Sequence, residues 1–358
     1  MRLLVAIVLA AAAVQQLDAQ RSQFEVDCPR LCSCNKTTIQ CLAAHAQRST
    51  VFLRMRPEAY PDLDTLIVTG ASLGDLSGSN LFGERVIHRS LSLVNLSTNA
   101  ISAFDSATFE ALAVVEYFYL NDNAVMRVGE DPFRWNKRLR VLDISNIFSR
   151  SVPPDERPRI ISRMFTDSSN DFVNLQEIII RGNSLTSVVP ETFCKLQGLI
   201  RLHLTNNKLT SFSFNDGCLP SLKVLDLSEN ELVTLPVRLW DGLPMLSTTD
   251  ISSNPLRCDC ALAPFIQRLS ESPSSSLNQG RTTCASPASR RGRIVFDLED
   301  FGCSSHHRLL IFALIMLVVS AAFILARTHL GRIRFAHLPF IAGYRKLGEN
   351  EAASPQFV

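Results

Sequence analysis

The sequence predicts an α/β solenoid: a horseshoe of short parallel strands, capped at both ends by disulfide-bonded cysteine clusters and followed by one transmembrane helix. Three observations predict it. The spacing L-x-x-L-x-L-x-x-N-x-L occurs eight times between Leu63 and Leu256. Four cysteines stand in a cluster on each side of that array. Beyond the second cluster, eighteen residues from Leu309 to Ala326 carry no charge.

In chain order, Met1, Arg2, an apolar run from Leu3 to Val14 and small residues near Ala19 predict a secretory signal peptide at 1–19. Residues 20–62 follow as an amino-terminal cap with the cluster CPRLCSCNKTTIQC, that is Cys28, Cys32, Cys34 and Cys41. A solenoid end leaves its apolar core open to water, and a small cap over it needs covalent staples. The C-x-C spacing also suits zinc, but a secretory context and the lack of a paired histidine favour disulfides.

Residues 63–256 carry the repeats, which match the leucine-rich repeat pattern. The clearest copies are Leu199, Leu202, Leu204, Asn207, Leu209 and Leu222, Leu225, Leu227, Asn230, Leu232. The fourth and sixth positions share one strand face, the first and eleventh turn into the same core, and the Asn bonds backbone as the chain leaves the strand. One repeat cannot bury that face alone, whereas eight stacked strands about 4.8 Å apart give a sheet on the order of 35 Å long. The copies begin at Leu63, Leu91, Val115, Leu139, Leu175, Leu199, Leu222 and Leu246, in steps of 28, 24, 24, 36, 24, 23 and 24 residues. Ala71 replaces the first Asn, and Asn146 stands one place early. The long step contains an irregular insertion, 149–171, expected to interrupt the horseshoe. Cys194 and Cys218 lie five and four residues before the next repeat, so they are expected to stack on the convex side and bond, the alternative being two buried thiols.

Residues 257–304 form the carboxy-terminal cap, with Cys258, Cys260, Cys284 and Cys303; its polar stretch SESPSSSLNQGR reads as an exposed loop. Both clusters resemble the caps of extracellular leucine-rich repeat proteins. That resemblance implies bonds Cys28–Cys34, Cys32–Cys41, Cys258–Cys284 and Cys260–Cys303. Residues 305–308 are juxtamembrane, with His306 and His307, and 309–326 are long enough to span a bilayer. All ten cysteines lie between the two apolar segments, so the expected topology is type I, at the plasma membrane with the ectodomain outside. In the cytoplasmic tail, 327–358, a basic and apolar first half suits an anionic inner leaflet. Tyr344 and Leu347 fit a Y-x-x-apolar endocytic signal, and the terminal Val358 a PDZ groove, although Gln356 departs from that motif.

A net charge of +2 gives no reason to expect nucleic acid, and the seven histidines pair with no nucleophile or ligand set; no catalysis, cofactor or metal is expected. The third, fifth and seventh repeat positions should face solvent on the concave side. The richest are Tyr117, Tyr119, Glu177, Ile179, Arg181, Arg201 and His203, the aromatic and charged types that dominate protein interfaces. Asp143, Asp226 and Asp250 equally follow the wording of an ordinary solvated strand face. The sequons at Asn35, in the cap, and Asn95, at a fifth position of the sheet, are expected glycan acceptors.

The insertion carries Val152, Pro153, Pro154, Asp155, Glu156 and Arg157. In this it resembles the V-P-P-acidic-E-R insertion of the trophoblast glycoprotein (Wnt-activated inhibitory factor) family of single-pass membrane proteins. The end of the tail differs, Gln-Phe-Val here against Ser-Asp-Val there, so a shared PDZ partner is not implied. The resemblance implies a cell-surface regulator that dampens Wnt/β-catenin signalling through extracellular or membrane proteins such as Wnt ligand or receptor components, with dimerisation open. An auxiliary subunit of a channel or receptor and an adhesion receptor are the other readings.

Overall fold

The structure, a computed structural model, describes residues 28–42, 51–169, 171–235, 239, 242–270, 276–303 and 306–336. The expected signal peptide at 1–19, Tyr344, Leu347 and Val358 lie outside them. The chain divides into two units, 1–301 and 302–358.

The first unit is built on one ten-stranded sheet. Its strands are β1 (Cys32–Cys34), β2 (Thr38–Leu42), β3 (Thr65–Thr69), β5 (Leu93–Asn95), β7 (Tyr117–Tyr119), β9 (Val141–Asp143), β10 (Glu177–Ile179), β11 (Arg201–His203), β12 (Val224–Asp226) and β13 (Thr248–Asp250). From β2 onward every pairing is parallel, and identical repeat positions face one another, as in Tyr117 opposite Val141, Val141 opposite Glu177 and Glu177 opposite Arg201. Fourth and sixth positions such as Leu66, Val68, Phe118, Leu202 and Leu204 are buried. The sequence spacing therefore sets the register. The cap adds the antiparallel pair β1–β2, so the sheet has two more strands than the repeats alone supply, and at about 4.8 Å per strand it is closer to 43 Å long.

A second sheet of β4 (Gly74–Asp75), β6 (Ile101–Phe104) and β8 (Arg127–Val128) covers part of the opposite side. Between the layers lie Phe104, Phe109, Phe118 and Phe133, all buried, with the Phe109 and Phe118 rings edge-on at 4.9 Å. A buried phenyl ring of this kind stabilises the fold by roughly 1.5–3 kcal/mol.

The ninth-position asparagines form a ladder. Asn207 accepts the backbone N–H groups of Asn183 and Leu185 at 3.0 and 3.1 Å and donates to Ile180 O at 2.8 Å, so one side chain satisfies backbone of neighbouring turns. Asn99, Asn123, Asn183, Asn230 and Asn254 act alike. Asn146 is not a displaced member of this ladder. The eighth position is left-handed in every repeat, at Gly70, Thr98, Asp122, Asn146, Gly182, Asn206, Glu229 and Ser253. Asparagine suits that conformation, and the ninth position of that repeat is Ile147, buried.

The insertion does not interrupt the horseshoe as expected. β9 and β10 pair directly across it, and Ile147 N donates to Asn183 Oδ1 at 2.9 Å. Its chain is absorbed on the convex side, where α1 (Arg157–Thr166) starts with Pro158 in the first turn and buries Ile161, Met164 and Phe165. Phe165 meets Phe172 at 5.5 Å and Phe193 at 6.3 Å. Arg157 is buried with them and donates to three backbone carbonyls, those of Val152, Asn183 and Ser149. At the exit, Asp131 accepts the Ser169 N–H at 2.9 Å and the Ser168 hydroxyl.

At the other end, β14 (Leu256–Arg257), α2 (Ala263–Ser270) and β15 (Cys284–Ser286) build the second cap. The polar stretch is not simply an exposed loop: Leu277 N bonds Thr249 O at 3.0 Å, and Ser276 is buried against the last strand. Arg290 Nη1 donates to Cys258 O and Phe301 O at 2.8 and 2.9 Å. Disulfides join Cys28 to Cys34, Cys32 to Cys41, Cys194 to Cys218 and Cys258 to Cys284. Cys260 and Cys303 are disulfide-bonded too.

The second unit contains α3 (His306–Ala336), in which Leu310–Thr328 is long and apolar enough to cross a membrane. That stretch is offset by one or two residues from the expected 309–326.

Candidate protein-binding surface on the concave sheet

Parallel register turns the third and fifth positions into two rows across the concave face. One row reads Tyr117, Val141, Glu177, Arg201, Val224; the other reads Tyr119, Asp143, Ile179, His203, Asp226. All are half-buried, as expected of side chains standing on a sheet between their neighbours. Four of the eight seventh positions behave differently from expectation. Ser97, Ser145, Ser228 and Ser252 are buried, because the side-chain oxygen two residues earlier, on Asn95, Asp143, Asp226 or Asp250, accepts the Ser backbone N–H and curls the chain inward. Asp250 is itself buried and takes a hydrogen bond from Asn278 of the cap. Thr69, Asn121 and Thr205 are half-buried, and Arg181 is exposed.

The register brings Glu177, Arg201 and His203 together. Arg201 Nε and Nη2 donate to Glu177 Oε2 at 2.8 and 2.7 Å, and His203 Nε2 lies 3.1 Å from Glu177 Oε1. On its other side His203 Nδ1 stands 3.9 Å from Asp226 Oδ2. The Asp226 carboxylate, together with the Glu177 charge, raises the His203 pKa against the opposing effect of burial. Burial alone would raise the Asp226 carboxyl as well. The neighbouring His203 and the hydrogen bonds from the Ser228 hydroxyl and N–H outweigh it and hold that carboxyl well below the usual range. Burial, with Asp143 and Glu177 nearby, raises the Tyr119 phenol. The result is an alternating string, Arg201, Glu177, His203, Asp226, beside two tyrosines. Such a surface offers shaped aromatic area and fixed donors and acceptors. Among the described residues no cluster of His, Cys, Asp and Glu could hold a metal.

Asp226 was legible only as strand wording; its role follows from register, which pairs it with His203. Asn95 opposes Tyr119 in the sheet, and Asn35 is exposed in the cap with its Oδ1 accepting the Thr37 and Thr38 N–H groups.

Fold and surface together define a leucine-rich repeat protein with disulfide-bonded ends and a candidate membrane helix. The leucine rich repeat model matches residues 173–216, and the leucine rich repeat C-terminal domain model matches 281–304. The particular likeness is to trophoblast glycoprotein. That of Macaca fascicularis is 24% identical over 298 residues, covering 77% of this chain and 67% of the relative. The crystal structure of human trophoblast glycoprotein (Wnt-activated inhibitory factor 1) superposes with a TM-score of 0.61 at 22% identity, over 76% of this chain and 98% of that one. Toll-like receptor 5 of Homo sapiens is 28% identical over 239 residues, but this chain spans only 26% of its length.

Proposed function

We propose that the chain is a type I glycoprotein of the plasma membrane that docks a protein partner on its concave face and dampens Wnt/β-catenin signalling. The observation that carries this reading is the likeness to trophoblast glycoprotein, which runs along two thirds of that protein and whose human form bears the name Wnt-activated inhibitory factor 1. The docking surface centres on Tyr117, Tyr119, Glu177, Ile179, Arg181, Arg201 and His203, with Wnt ligand or receptor components as partners. The membrane orientation is supported by the cysteines, all of which precede α3. Glycans on Asn35 and Asn95 fit that orientation, and the one on Asn95 would bound the docking surface beside Tyr119.

The test is a Wnt reporter in cells expressing the full chain at their surface. Reporter output should fall, and the pair Tyr119→Ala with Arg201→Glu should restore most of it at equal surface level. Unchanged output with the intact chain at the surface sinks the regulatory reading. Loss of activity on exchanging the span for an unrelated one, with the concave pair harmless, points to an auxiliary subunit. Aggregation of expressing cells points to adhesion.

A further inference from the structure

The insertion creates a groove on the convex side that the concave surface does not involve. Between α1 and β8 lies a cavity of about 640 Å³, walled by Met126, Val128, Ile160 and Val189 and rimmed by Arg159 and Arg163, with Glu156 the one acidic side chain among its lining. A second cavity of about 610 Å³ shares Val128, Ile160 and Arg163 with it, so the two run on as one groove along the helix. The volume suits a ligand, and the elongated form suits a chain segment.

Two features say what fits. Met126 is 53% exposed, so apolar surface is open to water at the floor. Arg159 and Arg163, one helical turn apart, form no ion pair among the described residues. The third guanidinium at this end, Arg127, is held by Asp75. Charge then changes along the groove, since the far cavity sets Glu130, Asp131 and Asp167 against Arg163 and an Arg134 that stands 4.0 Å from Asp131. We infer that this groove is a docking site for an acidic peptide segment of a partner protein, anchored by apolar side chains against Met126 and Val128. Its carboxylates meet Arg159 and Arg163, and its end near Asp131 is neutral or basic. A sulfated sugar would satisfy the arginines but leave the apolar wall uncovered, so the peptide is favoured.

The site is independent of the concave reading, and its test separates them. The full chain in lipid nanodiscs is titrated against a short fluorescent peptide of alternating Glu and Leu, read by anisotropy. A Lys and Leu counterpart and a size-matched heparin fragment run in parallel. The Glu and Leu peptide should bind at least about tenfold more tightly than its Lys counterpart, and Arg159→Glu with Arg163→Glu should remove that preference. Arg159→Gln with Arg163→Gln, which keeps the helix polar without reversing charge, should weaken it part-way. Arg201→Glu should leave it unchanged. Equal binding of the two peptides, full binding to the charge-reversed chain, or binding by the heparin fragment alone overturns the proposal.

Discussion

Replacing Arg157 with Met should destabilise the repeat domain although no part of the concave surface is touched. Its guanidinium donates to Val152 O from Nε at 3.0 Å and Nη2 at 2.8 Å, and to Asn183 O from Nη1 at 2.9 Å. It also stands 5.6 Å over the Phe148 ring. Met keeps the apolar stem but strands two buried carbonyls, at about 1–3 kcal/mol each, and removes a cation–π contact of about 0.5–1 kcal/mol. The relief of not burying a charge, the effect that lowers the Arg157 pKa, opposes these losses. The net is on the order of 3 kcal/mol. For a domain of this size, at about 2–4 °C per kcal/mol, Tm should fall by roughly 6–12 °C. Thermal unfolding of the full chain in detergent, followed by circular dichroism, measures it, with exposed Arg159→Met as the control. A fall under about 2 °C, or an equal fall in the control, refutes the idea that Arg157 joins insertion to ladder. Arg157→Lys should recover only part, because an ammonium cannot reach the three carbonyls in one plane.

Three further outcomes follow from the same geometry. The His203 pKa is raised above 6.5, so its stabilising contribution is fully present below that unfolded value and is lost as pH rises through the folded one. Tm of the native chain should therefore drop relative to His203→Ala on going from mildly acidic to mildly alkaline buffer, and parallel curves would contradict this. Asn183→Ala removes bonds to Ile147 N and Ile144 O, both 2.9 Å, and should cost about 2–4 kcal/mol in denaturant unfolding; a loss under about 1 kcal/mol counts against the ladder. Gly182→Ala puts a methyl into Asn146 Oδ1 at a φ of +68°, so it should destabilise by at least about 1 kcal/mol, and Asn146→Gly should relieve part of that in a double-mutant cycle.

The repeated leucines made the strands, their faces and their order legible, because period and register are carried by spacing alone. Two kinds of feature were not. The buried seventh-position serines depend on a side-chain bond from the residue two before, as at Asp226 and Ser228, which looks on paper like one more polar pair. The path of the insertion depends on tertiary contacts: a sequence with Pro153, Pro154 and charged neighbours reads as a break, whereas burial of Arg157 and Phe165 folds it against the layer beneath. Asn146 misled for a related reason, since one asparagine can serve either as ladder rung or as left-handed corner. At the candidate surface the residue types were legible, but the string from Arg201 to Asp226 needed the strand register.

The extra length of the fourth repeat is spent wholly outside the inner sheet, where β9 and β10 stay neighbours. The molecule therefore has two faces with separate tolerances. Residues can be added or lost at the outer rim without shifting which side chains stand abreast on the inner one. The inner face, by contrast, cannot gain a single residue in any strand without turning that strand's apolar side outward. Change in length and change in recognition are in this way assigned to opposite sides of the same chain.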